Sequence, residues 1–408
     1  MLILYNSFIR LYLLAIRLAA IRNQKAKEWI QGRQNLFTHL EQQVNADDRV
    51  IWMHCSSAGE FEQGKPIIAA LKKEYPNHKI VVSFFSPSGY HVAKKSDADC
   101  ITYLPADTKA NARRFIKILH PELVIFIKYE FWYHHLSEAA FQHIPLLLAS
   151  AVFRKDQAFF KWYGGFYRNV LFLFRHLFVQ DKSSFQLLKV NQINHCSISG
   201  DTRFDRVKEI AGHFTDVPVV TAFIGNDPVI VAGSTWKDDE KILAQYKPAK
   251  LVLAPHEISE EHLLQIEEVF PDSIRYSRWD NRTGQEKVLI IDNVGMLSRL
   301  YYYASVAYVG GGFTKDGIHN ILEAAVYGKA VIFGPVYQKY REAKELISQG
   351  GAFSVSNAEQ WKNRIDNLLN NEESLQTAGL HALHYITKNT GATAEVLHYI
   401  QENRLLTR

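Results

Sequence analysis

Residues 306–328 read VAYVGGGFTKDGIHNILEAAVYG, and the fold class is easiest to infer from them. The apolar run VAYV is typical of a buried strand, three glycines follow it directly, and the next segment has a helical pattern that ends at Gly328. A strand that passes through a glycine-rich turn into a helix is the unit from which parallel α/β proteins are built. The amides of such a turn and of the helix N-terminus can bind a phosphate group.

The same alternation extends over most of the chain. Short apolar runs predict strands at 50–54, 80–84, 101–103, 123–127, 146–149, 176–179, 229–232, 251–254, 288–291, 306–309 and 330–333. Amphipathic stretches predict helices at 66–74, 111–119, 238–246, 259–270, 295–304 and 320–327. We therefore predict an α/β protein with two Rossmann-like domains that face each other across a cleft, where a ligand binds near the carboxyl ends of the strands.

The length of 408 residues also favours two domains. Strand patterns are missing over 206–228, and the part that reads VPVVTAFIGNDP has two prolines and a glycine. We predict an apolar and basic helix over 1–35, a first domain over 36–210 and a second domain over 211–408. The final stretch is helical in pattern and can pack back on the first domain.

The charge distribution separates the N-terminus from the rest. Of 47 basic and 42 acidic residues, the first 35 positions hold six basic and one acidic, so the remainder is neutral. A nucleic-acid enzyme distributes its basic excess over a binding face, so we expect no nucleic-acid partner. Cys55, Cys100 and Cys196 lack CxxC spacing, so neither a disulfide framework nor a structural zinc site is predicted, and the visible motifs require no metal and no cofactor.

Residues 1–21, MLILYNSFIRLYLLAIRLAAI, have the length of a membrane span, but two arginines interrupt them. Asn6, Arg10, Arg17 and Gln24 form one polar stripe on a helix, and apolar side chains cover most of the rest. Arginine is costly at the bilayer centre and costs little for a helix that lies among the headgroups. We predict an interfacial anchor on an anionic membrane surface, and the alternative is a first helix packed on the protein body.

The segment HCSSAGEFEQG, residues 54–64, follows an apolar strand and precedes a helix that can begin near Pro66. Gly59 and the small Ser57 let a substrate approach the backbone, and Glu60 can act as a general base at the mouth of the cleft. The alternative is a capping box, because Ser57-x-x-Glu60 fits that pattern. The segment lacks GxGxxG, and GxxxxGK[ST] is absent from the chain, which disfavours a dinucleotide fingerprint and a Walker A loop.

Three further positions carry candidate chemistry. Glu130 follows the apolar strand LVIFI, where a carboxylate is costly unless it faces a cleft or is paired, for example with Lys128. Arg203 can offer a fixed positive charge to an anion, or it can form a surface ion pair. Asn320 with Glu323 can hold a sugar hydroxyl or a base, or they can cap a helix.

Four blocks, in this order, resemble the 3-deoxy-D-manno-octulosonic acid (Kdo) transferases of lipopolysaccharide biosynthesis, which are membrane-associated glycosyltransferases of the GT-B fold. SAGE at 57–60 is similar to the family's SxGE, and YEFW at 129–132 is similar to TELW. GDTRFD at 200–205 resembles GNxKFD, and GGGF with GIHNILEAA over 310–325 resembles GGSF with GGHNPLEPA. The resemblance runs over nearly the whole chain.

The resemblance implies that Glu60 is the catalytic base and that Glu130 and Arg203 stabilise the transition state, with Ser57 and Gly59 on the acceptor side. It implies that the CMP part of the donor is held by Pro255, His256, Val294, Gly295, Met296, Gly311, Gly312, Asn320, Ile321, Leu322 and Glu323. Arg203 stands where the family often has Lys. His256 stands where Arg is common, which weakens its assignment as a phosphate clamp.

The implied reaction is an inverting transfer of Kdo from CMP-Kdo to a lipid A precursor, lipid IVA, with release of CMP. Its implied place is the cytoplasmic face of the bacterial inner membrane, where the protein is N-terminally anchored or peripheral. One alternative is another sugar-nucleotide enzyme of the GT-B fold, either a UDP- or GDP-sugar transferase or a 2-epimerase. The other is a non-catalytic protein that binds the membrane surface.

Overall fold

The computed structural model describes residues 1–94, 96–128, 130–280 and 286–407. The chain divides into two compact units, Met1–Arg206 with Thr390–Arg408, and Val207–Asn389. The boundary lies within the helix Thr202–Gly212, four residues before the predicted position between 210 and 211. The final segment belongs to the first unit.

The first unit is built on one parallel sheet. Among the described residues the sheet has seven strands in the order β3-β2-β1-β4-β5-β6-β7. Its strands are β1 Arg49–Cys55, β2 His78–Phe84, β3 Cys100–Tyr103, β4 Leu123–Ile127, β5 Leu146–Ala151, β6 His176–Val179 and β7 Cys196–Ile198. Its helices are α1 Leu2–Ala19, α2 Gln24–Gln31, α3 Leu36–Gln43, α4 Ala58–Glu74, α5 Pro87–Ala93, α6 Lys109–Leu119, α7 Tyr133–Phe141, α8 Gly165–Leu171, α9 Lys182–Val190, α10 Thr202–Gly212, which continues into the second unit, and α19 Ala392–Glu402.

Both faces of this sheet are covered, which explains why its strands are apolar throughout. Val50 and Trp52 point into a core shared with α3, α6 and α7. Ile51 and Met53 alternate with them and point into a second core, to which α4 and α19 contribute. Ile400 of α19 is fully buried there, so the C-terminal helix is part of the first unit's core.

The second unit repeats the architecture. In the described part of the chain its parallel sheet has seven strands in the order β10-β11-β9-β8-β12-β13-β14. They are β8 Val229–Thr235, β9 Lys250–Pro255, β10 Ser273–Arg275, β11 Val288–Ile290, β12 Val306–Val309, β13 Ala330–Phe333 and β14 Ala352–Ser354. The helices are α11 Pro218–Ile224, α12 Lys237–Gln245, α13 Glu260–Val269, α14 Leu297–Leu300, α15 Leu322–Ala325, α16 Arg341–Ser348, α17 Ala358–Asn370 and α18 Glu372–Asn389.

Every predicted strand is present, and the predicted α/β class is confirmed. The strands β7, β10 and β14 were not predicted, because three-residue runs are too short to show a periodic pattern. Three helix predictions were inaccurate. The segment 295–304 forms only the four-residue helix α14 and a 3₁₀ turn over Tyr301–Tyr303. Helix α4 begins at Ala58 and not near Pro66, because Ser57 caps it, and the segment 320–327 forms only the short helix α15.

The strand order reverses direction once near the middle of each sheet. In the first unit the central neighbours are β1 and β4, and in the second they are β8 and β12. The loops that leave two such strands separate on opposite sides of the sheet, which opens a crevice at their carboxyl ends. The candidate site residues follow these strands.

Helix α1 is long and apolar enough to cross a membrane, judged by length and composition. In the structure one of its faces packs on the first unit. The Tyr5 hydroxyl donates a hydrogen bond to Asp107, Ile9 is buried, and the Tyr12 ring stacks on Phe85 at a centroid distance of 6.2 Å. The opposite face is apolar and exposed. The helix is therefore docked on the first unit, as expected for a first helix packed on the protein body. Its opposite apolar face remains exposed and can contact a membrane.

Candidate active site and sugar-nucleotide site

Glu60 lies in the first turn of α4, directly after β1. Ser57 is the N-cap of this helix, and its hydroxyl accepts a hydrogen bond from the Glu60 amide at 3.4 Å. The Glu60 carboxylate accepts a hydrogen bond from the Ser56 amide. These contacts have the form of the capping box that the sequence left open. Among the described residues, no heavy atom lies within 4 Å of a methyl group built on Gly59, so the backbone is open to a substrate there.

The Glu60 side chain is only 6% exposed, and burial raises its pKa from an ordinary 4.5 to about 7. The nearby Glu130 carboxylate raises the pKa further, while the Ser56 amide and the Lys128 charge oppose the rise. A carboxylate with a pKa near neutrality is suited to take a proton at physiological pH. The environment of Glu60 is therefore that of a candidate general base.

Glu130 follows β4 and is electrostatically coupled to Glu60. Burial raises its pKa, and the Ser56 hydroxyl partly opposes this rise. Ser56 thus donates hydrogen bonds to both carboxylates, to Glu60 from its amide and to Glu130 from its hydroxyl. The structure brings together two acidic residues that are 70 positions apart in the sequence, at the ends of the two central strands.

A buried polar chain behind Ser56 was not predicted. His54 is fully buried, its Nδ1 lies 2.9 Å from the Ser83 hydroxyl, and its Nε2 lies 3.4 Å from the Ser56 hydroxyl. Burial lowers the pKa of His54 to about 3, so its ring is neutral. Trp52 donates a hydrogen bond to the same Ser83 oxygen at 2.8 Å. These hydrogen bonds fix the Ser56 side chain. The sequence feature that could have predicted them is His54, a polar residue near the end of the apolar strand β1.

Arg203 is held by its neighbour Asp201. The guanidinium Nε donates to an Asp201 carboxylate oxygen at 2.8 Å, and the other Asp201 oxygen accepts from Gln63 of α4 at 2.9 Å. Asp201 is buried, whereas the Arg203 side chain is 30% exposed. The ion pair that the sequence left as the alternative is therefore formed, and it ties Arg203 to the helix that carries Glu60.

The glycines that follow β12 are required by close backbone contacts. A methyl group on Gly310 would lie 2.3 Å from the Ser234 carbonyl oxygen, and one on Gly312 would lie 2.5 Å from the Gly334 Cα. Gly311 has a φ of +88°, which disfavours any residue with a side chain. These contacts pack the turns after β12 and β13 against each other and against the end of β8.

The Gly311 amide is not available to a phosphate, contrary to the expectation for this turn. It donates a hydrogen bond to the buried Asp239 at 2.8 Å. Asp239 also accepts from the Tyr308 hydroxyl at 2.7 Å and from the Trp236 amide at 3.0 Å. Burial raises the pKa of this carboxyl group. Asp239 therefore fixes the loops after the central strands β8 and β12, and the sequence analysis missed it.

Three aromatic rings lie at the carboxyl edge of the second sheet. The His256 ring stacks on both Trp236 and His319, with centroid distances of 4.7 and 4.5 Å. The indole Nε1 of Trp236 donates a hydrogen bond to His319 Nε2 at 3.1 Å, which places the His319 proton on Nδ1. Burial and the neighbouring His256 lower the pKa of His319 to about 4. Trp236 and His319 were not among the predicted site residues.

Asn320 and Glu323 are bonded to each other. The Asn320 amide donates to the Glu323 carboxylate at 3.0 Å, and its oxygen accepts from the Leu322 amide at 3.3 Å. The N-cap of α15 is Ile321, without a side-chain cap bond, so the Asn320 contact with Leu322 is a local turn before the helix and not the Asn-x-x-Glu cap that the sequence left open. Ile321 and Leu322 are fully buried, so only their backbone can face a ligand.

The remaining predicted donor residues lie in loops after the strands. Pro255 ends β9, and His256 follows it with an exposed ring. Val294 is 85% exposed, Gly295 has a φ of +95°, and Met296 precedes α14. The predicted residues of the second unit thus lie in the turns that leave β9 and β12 and in the turn before α14.

Comparisons with known proteins agree with this architecture. Residues 28–206 match the family model described as 3-deoxy-D-manno-octulosonic-acid transferase (kdotransferase). The 3-deoxy-D-manno-octulosonic acid transferase of Aquifex aeolicus is 28% identical over 337 residues, which cover 80% of this chain and 88% of that protein. Two solved structures share the fold. The UDP-GlcNAc 2-epimerase of Neisseria meningitidis has a TM-score of 0.62 at 15% identity, covering 87% of this chain and 100% of its own. A glycosyltransferase of Rickettsia africae has a TM-score of 0.55 at 14% identity, covering 87% and 98%.

Two Rossmann-like units with parallel sheets and these structural relatives define the GT-B fold, and the family match indicates a glycosyltransferase. Residues 28–206 match the Kdo transferase family model, and the chain is similar to curated Kdo transferases over most of its length.

Proposed function

We propose that the protein transfers Kdo from CMP-Kdo to the lipid A precursor lipid IVA and releases CMP. The family match supports the sugar, and the observation that carries the mechanism is Glu60, a buried carboxylate with a pKa of about 7 beside a second carboxylate. In this proposal the first unit binds the acceptor and the second unit binds the donor.

In the proposed reaction the Glu60 carboxylate removes the proton of an acceptor sugar hydroxyl as that oxygen attacks the anomeric carbon of Kdo. The bond from this carbon to the phosphate oxygen breaks, and CMP leaves with the electron pair. A single displacement inverts the anomeric centre. Glu130 and Arg203 are proposed to stabilise the transition state, Arg203 with its charge partly balanced by Asp201.

The donor assignment rests on the turns at the carboxyl edge of the second sheet. We propose that Pro255, His256 and the 294–296 turn, with the backbone at 320–323 and the glycines 311 and 312, surround the CMP moiety. Because Asp239 occupies the Gly311 amide, that amide supports the loop and does not bind the phosphate. Asn320 and Glu323, which hold each other, present a fixed pair of polar groups.

We further propose that the protein works at the cytoplasmic face of the inner membrane as a peripheral protein. One face of α1 is bonded to the body, and a helix held in this way is better suited to lie in the headgroup layer than to cross the bilayer. Its exposed apolar face and its arginines fit an anionic membrane surface.

The test is CMP release on mixing the protein with CMP-Kdo and lipid IVA, followed by mass analysis of the lipid. We expect an added Kdo mass with wild type, and a loss of roughly a hundredfold or more with Glu60→Ala. Glu62→Gln is a matched control, since Glu62 lies on the same helix and pairs with Lys65 at the surface. Wild-type turnover in Glu60→Ala would contradict the mechanism. An added mass from UDP- or GDP-sugars instead would contradict the donor.

A further inference from the structure

The loop between β5 and α8, residues 152–164, displays aromatic side chains to solvent. Trp162 is 95% exposed and Tyr163 is 51% exposed. A tryptophan in this position leaves most of its large apolar surface in water, although burying such a side chain is worth a few kcal/mol. Folding of the chain does not account for the exposed Trp162 side chain, which suggests that it contacts a binding partner.

The loop holds Trp162 outward by fixed contacts. Arg168 of α8 donates hydrogen bonds to the carbonyl of Phe159 at 3.0 Å and to that of Lys161 at 3.3 Å. Gly164 packs so closely on Ala158 that a methyl group there would lie 1.8 Å from the Ala158 carbonyl oxygen. The turn that carries the Trp162 and Tyr163 rings is therefore held by hydrogen bonds and close packing.

This loop lies beside α1. The Phe166 ring, four residues after Trp162, is 5.7 Å from the Tyr5 ring of α1 and 4.9 Å from Tyr133. Both elements occupy the carboxyl edge of the first sheet, because the loop follows β5 and α1 bonds to residues that follow β3 and β4. The exposed face of α1 shares that edge. It is lined by Leu4, Phe8, Leu11, Leu14 and Leu18, each more than half exposed.

Basic side chains flank both elements. Arg10 and Arg17 are exposed on α1, and Arg154 and Lys155 are exposed on the loop. Tryptophan and tyrosine are the residues that concentrate at the interface between lipid tails and headgroups, and basic side chains attract anionic headgroups. Exposed apolar, aromatic and basic side chains at one edge of the sheet together fit one binding partner, an anionic lipid surface.

We propose that the loop 152–164 is a second membrane-contacting element, which inserts Trp162 and Tyr163 into the headgroup layer beside the apolar face of α1. The inference rests on the peripheral location proposed above. Two contact elements restrict the orientation of the first unit on the membrane more closely than α1 does alone. The sheet edge that carries Glu60 and Glu130 is then held at the lipid surface.

The test attaches an environment-sensitive fluorophore to the full-length protein through Trp162→Cys. The native residues Cys55, Cys100 and Cys196 are buried, so labelling is selective for the new thiol. The matched control is Val190→Cys, which is 82% exposed in wild type. It ends α9, which starts at the carboxyl end of β6, so it lies at the opposite edge of the sheet. With vesicles of phosphatidylglycerol and phosphatidylethanolamine, we expect a blue shift and quenching by lipids brominated in the acyl chain at position 162, and neither at 190.

A second measurement compares vesicle affinity. We expect Trp162→Ser to weaken binding roughly tenfold and Trp162→Tyr to retain most of it. Transfer to a short soluble acceptor should be unchanged in both variants, so a failure of the membrane contact is distinguishable from a failure of the proposed chemistry. An unshifted probe at 162 on vesicle-bound protein would overturn the inference. So would a shift that appears without vesicles and grows with protein concentration, because it would indicate self-association.

Discussion

Replacing Glu60 with glutamine is expected to remove transfer activity and, at alkaline pH, to make the protein more stable. Glutamine keeps the size of the side chain and can still accept the hydrogen bond from the Ser56 amide. It removes the ionisable group, and a buried carboxylate costs free energy when it is charged. The variant therefore separates the cost of the charge from the benefit of the cap.

The sign and size follow from the raised pKa. A folded pKa of about 7 against an ordinary 4.5 means that the folded state holds the proton more tightly than the unfolded state. Below pH 4.5 Glu60 is protonated in both the folded and the unfolded state, and the folded state of wild type has its full stability. As the pH rises from 4.5 to about 7, the unfolded state ionises first, so the free energy of unfolding falls. Between about pH 5 and about pH 8.5 the loss amounts to about 2 to 3 kcal/mol. Glu60→Gln lacks this dependence.

The assay is denaturant unfolding of wild type and Glu60→Gln at both pH values, followed by a signal from the first unit. We expect similar midpoints at the acidic pH and a higher midpoint for the variant at the alkaline pH. Glu62→Gln controls for the loss of one acidic residue from the helix, since Glu62 is half-exposed and its ion pairs with Lys65 and Arg206 do not involve Glu60. The variant should release CMP at least roughly a hundredfold more slowly than wild type.

The reasoning fails if Glu60→Gln is less stable than wild type by the same amount at both pH values. That result would mean that the ionised carboxylate stabilises the helix and that burial does not raise its pKa. Undiminished transfer by the variant would separately remove Glu60 from the mechanism.

Three further outcomes are expected. For wild type acting on a soluble acceptor, kcat/KM should fall about tenfold per pH unit below about pH 7, because Glu60 must be ionised to accept a proton; a flat profile would argue against it. Trp236→Phe should raise the donor KM roughly 2- to 10-fold at nearly constant kcat, because it loses the bond that fixes the His319 ring on which His256, a proposed CMP contact, is stacked. The nitrogen NMR signals of the His319 ring should then show mixed tautomers. Gly312→Ala should lower the free energy of unfolding by about 1 to 3 kcal/mol, since the new methyl group would meet the Gly334 backbone. Gly59→Ala should leave the free energy of unfolding unchanged, because its methyl group would meet no neighbouring atom of the described residues. Equal melting temperatures for the two variants would contradict the packing argument.

Much of the fold could be predicted from the sequence, because buried parallel strands are apolar runs that stand out from their surroundings. VIWMH, IVVSF and LVIFI are such runs, and each falls in a strand of the first sheet. The helix starts were harder to predict. Pro66 resembles a helix start, because proline is favoured in a first turn, yet it lies inside α4, which begins at the Ser57 cap.

The candidate site could be predicted only at positions where a polar residue follows a strand directly. Glu60 and Glu130 carry that signal, and the topology brings them together because β1 and β4 are neighbours. The supporting groups carry less signal. Asp239 lies in the first turn of an ordinary amphipathic helix, and only the tertiary structure places it against Gly311. Trp236 does follow β8 directly, so the same rule could have identified it.

The capping interpretation and the catalytic interpretation of Glu60 make different electrostatic demands. A carboxylate that serves only as a cap gains from the positive end of the helix, so its pKa should fall. The Glu60 pKa rises instead, because burial and the Glu130 charge exceed the gain from the helix terminus. Asn320 and Glu323 differ, since their amide and carboxylate are partly exposed and bonded to each other, and neither caps α15, whose N-cap is Ile321. The cap at Ser57 therefore accounts for the geometry of Glu60, but it leaves an energetic cost that a function of the charged group must explain.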